Sequence, residues 1–207
     1  MTEAATISGG FAEAGGGSWL AGHGQPAAFS GSLARRRRKG WIVRDRGSLC
    51  LVEATGRIYC SDSARPFLTH IPCAAPITAV SSKVLLAPAA ARSGADTVKV
   101  IPMSLQRAIC TTSFASDWVV MATSSRVARI KVDDGGTLAV RPEAAVAWTG
   151  GRPTGFCPKL RLVDMLLPGG PKELLLNFHG PCVVWVEGAG APRACAAGRA
   201  MMQRRAC

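Results

Sequence analysis

The chain has 207 residues, of which 48% are apolar and only 6% aromatic. It is long enough for one domain of ordinary size with an appendage, and its core must be built mainly from small side chains. The formal net charge is +12, which favours a polyanion such as nucleic acid or an anionic membrane surface, or neighbours inside a large assembly. No stretch reaches the roughly 18 consecutive apolar residues that a membrane-spanning helix requires, so no such helix is expected.

Residues 1–40 are predicted to be a flexible N-terminal segment that ends in a basic run. The part from Met1 to Ala34 is rich in Gly, Ala and Ser and contains no Lys or Arg, so it cannot bury enough apolar surface to fold alone. The run that follows consists of Arg35, Arg36, Arg37, Arg38 and Lys39. It fits part of a mitochondrial presequence, a nuclear signal or nucleic-acid arm, or a solvated segment that touches an acidic neighbour.

The middle of the chain has the pattern of short strands separated by turn residues. Three prolines within Ser61–Pro76 predict a loop there, because proline removes a backbone donor. A loose echo between Ala108–Ala122 and Thr137–Trp148 suggests two similar sheet halves, and no repeat of fixed long period is evident. Strands are predicted at Trp41–Val43, Leu49–Val52, Arg57–Cys60, Val80–Leu86, Thr97–Ile101, Ala108–Thr112 and Trp118–Ala122.

The clearest strand pattern lies after Arg126. From Ala128 to Val132 apolar residues alternate with Arg129 and Lys131, a period of two that indicates a half-buried strand. The sequence Asp133-Asp-Gly-Gly136 tolerates positive φ and predicts that the chain reverses there.

A similar pattern of a strand, a turn and a second strand recurs closer to the C-terminus. Leu174, Leu176 and Phe178 share one face, Gly180-Pro181 ends their strand, and Val183–Val186 is apolar on both faces. Short strands at this spacing predict an all-β fold, an antiparallel β-sandwich or barrel that forms a single domain over residues 41–188.

Three aromatic residues, Trp148, Phe178 and Trp185, are the predicted structural core. The strand that ends at Trp148 is expected to pair close to that of Trp185, which would place the two indoles in one apolar layer. The alternative is that the tryptophans form an exposed platform on which bases stack.

This half of the chain also carries four longer motifs. They are Val100-Ile-Pro-Met-Ser-Leu105, Gly135-Gly-Thr-Leu-Ala-Val140, Pro142-Glu-Ala-Ala-Val-Ala-Trp148 and Gly180-Pro-Cys-Val-Val-Trp-Val186. Together they resemble the altered-inheritance-of-mitochondria protein 24 family over roughly Val98–Glu187, although Cys182 stands where that family often has glycine. The resemblance implies a fold like that of the tryptophan RNA-binding attenuator protein and a link to mitochondrial inner-membrane organisation. It brings no catalytic residue with it.

The residues that usually carry chemistry do not form a known motif. The eight cysteines include no Cys-x-x-Cys pair, which favours scattered reduced thiols over zinc or a disulfide framework. His70 and His179 are predicted to be structural, and Asp133 with Asp134 to form a turn rather than an acid–base pair. We therefore predict no catalytic residue, no cofactor and no metal site.

Residues 189–207 are predicted to be a basic C-terminal tail, and Arg204 and Arg205 lie near its end. With the run Arg35–Lys39, these are the candidate contacts to a polyanion, either RNA or an anionic membrane surface. The predicted function is that of a non-enzymatic mitochondrial protein, in the matrix or associated with the inner membrane, which docks with the protein subunits of a larger assembly. An RNA-binding or ribonucleoprotein subunit, of the mitoribosome type, is the alternative.

Overall fold

The computed structural model of the protein describes residues 5–22, 26–36, 49–89, 99–102, 108–115, 118–151, 153–155 and 175–188. Strands dominate these residues, and Ser81–Lys83 adds a short 3-10 turn. None of the described residues belongs to a helix with the length and apolar character needed to cross a bilayer. The prediction of an all-β fold is confirmed.

The described residues contain nineteen strands. In chain order they are β1 (Thr6–Ser8), β2 (Phe11–Ala14), β3 (Gly17–Ala21), β4 (Pro26–Phe29), β5 (Leu33–Arg36), β6 (Cys50–Ala54), β7 (Ile58–Cys60), β8 (Phe67–Pro72), β9 (Ile77–Val80), β10 (Val84–Pro88), β11 (Lys99–Pro102), β12 (Ala108–Phe114), β13 (Trp118–Thr123), β14 (Val127–Val132), β15 (Thr137–Val140), β16 (Ala145–Thr149), β17 (Thr154–Gly155), β18 (Leu176–His179) and β19 (Cys182–Glu187).

These strands form four antiparallel sheets. Sheet A has the order β1-β2-β7-β4, sheet B β5-β6-β3-β10-β13-β8, sheet C β11-β12-β9-β16-β19-β14, and sheet D β15-β18-β17. One apolar cluster lies between A and B, a second between B and C, and a third between C and D. The sheets therefore pack as a β-sandwich of successive layers, in which B and C are covered on both faces.

The pairing follows one pattern three times along the chain. We call β2–β7, β8–β13 and β14–β19 units 1, 2 and 3. In each unit the first and third strands pair with the sixth, and the second and fourth pair with the fifth. The same rule holds for the remaining pairs within units 2 and 3. The expectation of two similar halves was wrong, since the echo that suggested it joined non-equivalent strands.

Each unit consists of three pairs of consecutive strands, and within each pair the chain passes from one sheet into the next, as from β14 in sheet C to β15 in sheet D. We call each such pair a ribbon and the place where it changes sheet a corner. At the corner between sheets C and D, the amide of Gly180 donates to the carbonyl of Gly136 (3.0 Å), and that of Gly136 donates to the carbonyl of Asp133 (2.9 Å). A Cβ at Gly180 would lie only 1.8 Å from the Asp133 oxygen. The predicted reversal at Asp133–Gly136 is thus a corner, because the strands on either side of it belong to different sheets.

Three of the four strands of sheet A (β1, β2 and β4) and two strands of sheet B (β3 and β5) come from the segment that was predicted to be flexible. Five strands lie between Thr6 and Arg36, and β3 pairs with both β6 and β10. Ala12 is fully buried and Trp19 is 1% exposed. The prediction for residues 1–40 was therefore wrong: alanines that cannot form a core alone bury their surface against sheet B instead.

The segment Ser61–Pro76, which was predicted to be a loop, contains a strand. Phe67–Pro72 forms the edge strand β8 of sheet B, whose inner neighbour is β13. Prolines are tolerated at the end of an edge strand, since the missing donor would face away from the sheet. The predicted strand at Trp41–Val43 and the tail 189–207 lie outside the described residues.

The three predicted core aromatics are buried. Trp148 and Phe178 contact each other edge-to-face, with ring centroids 5.4 Å apart, between sheets C and D. Trp185 lies between sheets B and C instead. Their strands pair as predicted, but Ala147 is the residue opposite Trp185. The two indoles therefore point to opposite faces of sheet C, and the prediction of one shared layer was wrong.

Replacing Gly180 by alanine is expected to lower the free energy of unfolding by roughly 3 kcal/mol, because the new methyl group would overlap backbone that cannot move without opening the corner. Gly151 is the matched control: a Cβ added there would meet no other atom within 4 Å, so alanine should change stability by less than about 0.5 kcal/mol. Urea titrations of both variants check this. Equal stability of the two would show that the corner is loosely packed.

Truncation of either core indole is expected to cost about 3–5 kcal/mol. Trp148→Ala removes the edge-to-face partner of Phe178, whereas Trp185→Ala leaves a cavity in the apolar cluster between sheets B and C. Thermal melts combined with RNA titrations test this against the exposed platform. An unchanged melting temperature with loss of RNA binding would contradict the buried positions.

Candidate functional site

The predicted polyanion contacts fall mostly beyond the part of the chain that the structure describes. The backbones of Arg35 and Arg36 form the end of the edge strand β5. The other five residues, Arg37, Arg38, Lys39, Arg204 and Arg205, lie outside the described residues. Their contact with a polyanion stays a prediction.

A largely buried ion pair links sheets B and C. The ammonium of Lys83 is 2.7 Å from a carboxylate oxygen of Glu187, and the two side chains are 11% and 13% exposed. The ammonium also donates to the carbonyl of Glu143. The second carboxylate oxygen accepts the backbone amides of Ser124 and Ser125.

The electrostatics of this pair favour the charged state of the acid. Burial by itself would raise the pKa of Glu187, but the hydrogen bond and charge of Lys83 and the two serine amides together hold it below its ordinary value. Burial lowers the pKa of Lys83, and the pairing with Glu187 offsets only part of that effect. Because every charge has a specific partner, the cluster acts as a structural link between layers.

Little in the sequence indicates this pair. Its two residues are 104 positions apart, and neither belongs to a known motif. The available signal was the position of Glu187, a single acid that ends an apolar strand.

The two histidines within the described residues have structural surroundings. His70 lies on β8 with its ring centroid 5.6 Å from that of Trp118, and burial lowers its pKa. His179 is exposed at the end of β18, where its Nε2 is 2.8 Å from the hydroxyl of Thr154. Within the part of the chain that the structure describes, the contacts of the two rings are to Trp118 and Thr154, and neither of these is a carboxylate that could orient a catalytic base.

The cysteines that the structure describes, Cys50, Cys60, Cys73, Cys110 and Cys182, form no disulfide with one another. Cys60 is fully buried beneath sheet A, and burial raises its pKa to about 11. Such a thiol stays protonated and inert at neutral pH. Within the described ranges, no group of His, Cys, Asp or Glu is suited to hold a metal ion.

Exposed large apolar side chains concentrate on sheet A. Ile7 on β1, Phe11 on β2 and Phe29 on β4 are 39%, 40% and 51% exposed, and Phe67 of sheet B is the fourth such residue in the described part of the chain. Phe11 points away from the core, since its neighbour Ala12 is fully buried. Strand pairing places Ile7 opposite the buried Ala12 and Phe29 opposite the buried Ile58, so these two side chains lie on the edge strands on the side that faces sheet B, whereas Phe11 lies on the outer face. The exposed apolar side chains of this terminal sheet, Ile7, Phe11 and Phe29, are the candidate functional site, which we call the outer-sheet surface.

Polar groups accompany Phe11 on the outer face of sheet A. Glu13 lies on that same face and forms an ion pair of 3.0 Å with Arg57, and it stands opposite Tyr59 on β7. The hydrogen bond that Arg57 donates to the side chain of Tyr59, together with the charge of Glu13, raises the pKa of Arg57. Phe11 thus offers an exposed aromatic ring beside polar and charged groups, a combination that is common in protein-binding surfaces.

Stability should fall in acid as Glu187 takes up a proton. Its pKa is depressed in the folded state, so its contribution is present above the unfolded pKa of about 4.3 and is lost as the pH falls through the lower folded value. Glu187→Gln is expected to destabilise by roughly 3 kcal/mol at pH 7, because Lys83 loses its partner. The difference from wild type should shrink below about pH 4.

Denaturant titrations from neutral to acid pH measure this difference. Glu13→Gln is the control, since the pair that it breaks with Arg57 is largely exposed and surface pairs contribute about 0–1 kcal/mol. Equal effects of the two substitutions at pH 7 would contradict the structural role of Lys83 and Glu187.

Comparison with known proteins adds support for the fold. No family model and no curated protein sequence matches the chain. The fold is similar to that of the crystal structure of protein SPYM3_0169 from Streptococcus pyogenes, with a TM-score of 0.62 and 10% sequence identity over 97% of each chain. Likeness at this level of identity shows a shared architecture over nearly the whole chain.

Proposed function

We propose that the protein is a non-enzymatic mitochondrial protein, in the matrix or associated with the inner membrane, that docks into a larger assembly through the outer-sheet surface. The mitochondrial part rests on the resemblance of Val98–Glu187 to the altered-inheritance-of-mitochondria protein 24 family. The docking part rests on the exposed residues Ile7, Phe11 and Phe29.

The exposure of these apolar side chains is the observation that carries the docking proposal. Sheet A contributes three of the four large apolar side chains that are exposed in the described residues. Exposing apolar area costs about 25 cal/mol for every Å² that stays in water. Phe11 points directly into solvent although its own strand is otherwise well packed, which fits a residue whose contact is made by another protein.

The proposed lack of catalysis agrees with the surroundings of the polar residues. Asp133 closes the corner with Gly136, His179 contacts Thr154, and Lys83 is held by Glu187. Each of these groups has a role in holding strands together.

RNA binding is the second candidate, and the net charge of +12 favours it. The buried tryptophans limit how this could occur. Trp19, Trp118, Trp148 and Trp185 are each no more than 9% exposed, so they offer bases no stacking surface. An RNA-binding role would therefore depend on the basic segments Arg35–Lys39 and Arg204–Arg205.

Phe11→Ser is expected to abolish the capture of partner proteins from isolated mitochondria while leaving the melting temperature nearly unchanged. Phe67→Ser is the matched control, because Phe67 has almost the same exposure (42% against 40%) but lies on sheet B. Affinity capture of the tagged full chain, followed by mass spectrometry, measures the result. Fractionation of the same cells reports whether the chain is mitochondrial.

Two outcomes would overturn parts of this proposal. Equal capture by wild type and Phe11→Ser would remove the outer-sheet surface as the docking site. Recovery of RNA, with an affinity that falls steeply with salt at a slope of about −0.7 to −0.9 for each neutralised phosphate, would favour the second candidate.

A further inference from the structure

The three units join to one another by a single rule. The second strand of one unit pairs with the third strand of the next: β3 of unit 1 with β10 of unit 2, and β9 of unit 2 with β16 of unit 3. Both junctions are antiparallel, and each places three residues of one strand opposite three of the other. The junctions make sheets B and C six strands wide.

Among the strands that the structure describes, this rule leaves two strands at the ends of the series that are paired on one side only. The second strand of unit 3 is β15, which is an edge of sheet D. The third strand of unit 1 is β4, which is an edge of sheet A. In the other units the strands equivalent to β15 are β3 and β9, and those equivalent to β4 are β10 and β16; all four are paired on both sides. The free sides of β15 and β4 are therefore the two surfaces that a further junction of the same kind would join.

The sequences of these two edges differ from those of five of the six other edge strands; the sixth, β8, has six residues and no Lys, Arg, Asp or Glu, and it ends with Pro72. Three of the other edge strands carry charged residues, β5 with Arg35 and Arg36, β11 with Lys99, and β14 with Arg129 and Lys131. Two more are very short, β1 with three residues and β17 with two. Charge and shortness are the usual protections of an edge strand against pairing with another chain. The strands β4 (Pro-Ala-Ala-Phe) and β15 (Thr-Leu-Ala-Val) have four residues each and no charge.

The side chains along both edges are also accessible. Ala27, Ala28 and Phe29 of β4 are exposed, and so are Thr137 and Ala139 of β15. Small and apolar side chains do not hinder the approach of a second strand, and each new ladder would satisfy backbone groups that otherwise face water.

We propose that β15 of one copy of this chain pairs with β4 of a second copy, so that the copies associate head-to-tail and continue the junction already made between the units. The occupant of each edge is thus another molecule of the same protein. Because the two contacting surfaces differ, the contact is heterologous, and it leads to a ring or to a filament. Phe29 of β4 also belongs to the outer-sheet surface, so the two proposals share that residue but not Phe11, and the test of this inference uses purified protein alone.

The design of the test exploits the difference between the two edges. Ala28→Lys places a charge on β4 and leaves β15 intact, whereas Ala139→Lys does the reverse; both residues are exposed. Wild-type protein is expected to form larger species as its concentration rises in sedimentation velocity measurements. Each variant alone should sediment as a monomer, because every contact needs one edge of each kind. An equimolar mixture of the two should form a dimer and nothing larger, through the two unmodified edges.

The control substitution is Ala75→Lys, at an exposed turn between β8 and β9, which should associate like wild type. Melting temperatures of all variants establish that they are folded. A wild type that stays monomeric over the whole concentration range would overturn the proposal. So would self-association of Ala139→Lys alone, which would mean that β4 pairs with β4 or that another surface is used.

Discussion

The close crossing of ribbons at the corners is the constraint on which the rest of the structure depends. At the corner between sheets A and B, a Cβ at Gly56 would lie 2.4 Å from the carbonyl oxygen of Ser30, and one at Gly16 would lie 2.8 Å from that of Thr55. The corner between C and D has its counterpart in Gly180. Backbones can approach this closely only where no side chain intervenes. Without that approach, the ribbons could not leave one sheet and enter the next while staying paired.

Covering sheets B and C on both faces follows from these corners. In β10 and β13 every residue is buried, and successive side chains of β13 enter different apolar clusters. Such strands lose the alternation of polar and apolar residues that marks a sheet with one wet face. The arrangement also explains how a chain with few aromatic residues builds a core, since small side chains in several thin layers replace large ones in a single layer.

The parts of the fold that sequence could predict are those that depend on local pattern. Residues Ala128–Val132 alternate because β14 is an edge strand with one side in contact with solvent, and this pattern survives in the structure. The segment Phe11–Ala21 has no such pattern, because Ala12 and Trp19 are buried by strands more than thirty residues away. Its composition is that of a chain that cannot fold alone, and the free energy that orders it comes from sheet B. Trp148 and Trp185 point to opposite faces of sheet C because the register shifts by one residue between Ala145 and Ala147 of β16. No local sequence pattern indicates such a bulge.

The candidate site shows the same division between local and long-range information. An exposed residue such as Phe11 looks in the sequence like any core residue, because exposure is decided by what is packed nearby. The ion pair of Lys83 and Glu187 could not be predicted from local sequence, because its two residues are 104 positions apart. Conversely, the turn role of Asp133 followed from its own neighbours, and the structure places it there.

The 3-10 turn Ser81–Lys83 brings the linkers between the units to one place. Arg65, in the linker from unit 1 to unit 2, donates to the carbonyl of Ser82. Ser124 and Ser125, in the linker from unit 2 to unit 3, donate to Glu187, which in turn binds Lys83. Strand pairing alone permits a unit to slip along its neighbour, and a slip by one residue would exchange the buried and exposed faces. Directional contacts at this turn oppose such a slip, because a charged group moved from its partner within an apolar layer is strongly unfavourable. The polar cluster thus selects one alignment of the three units, while the apolar layers supply most of the free energy that holds them together.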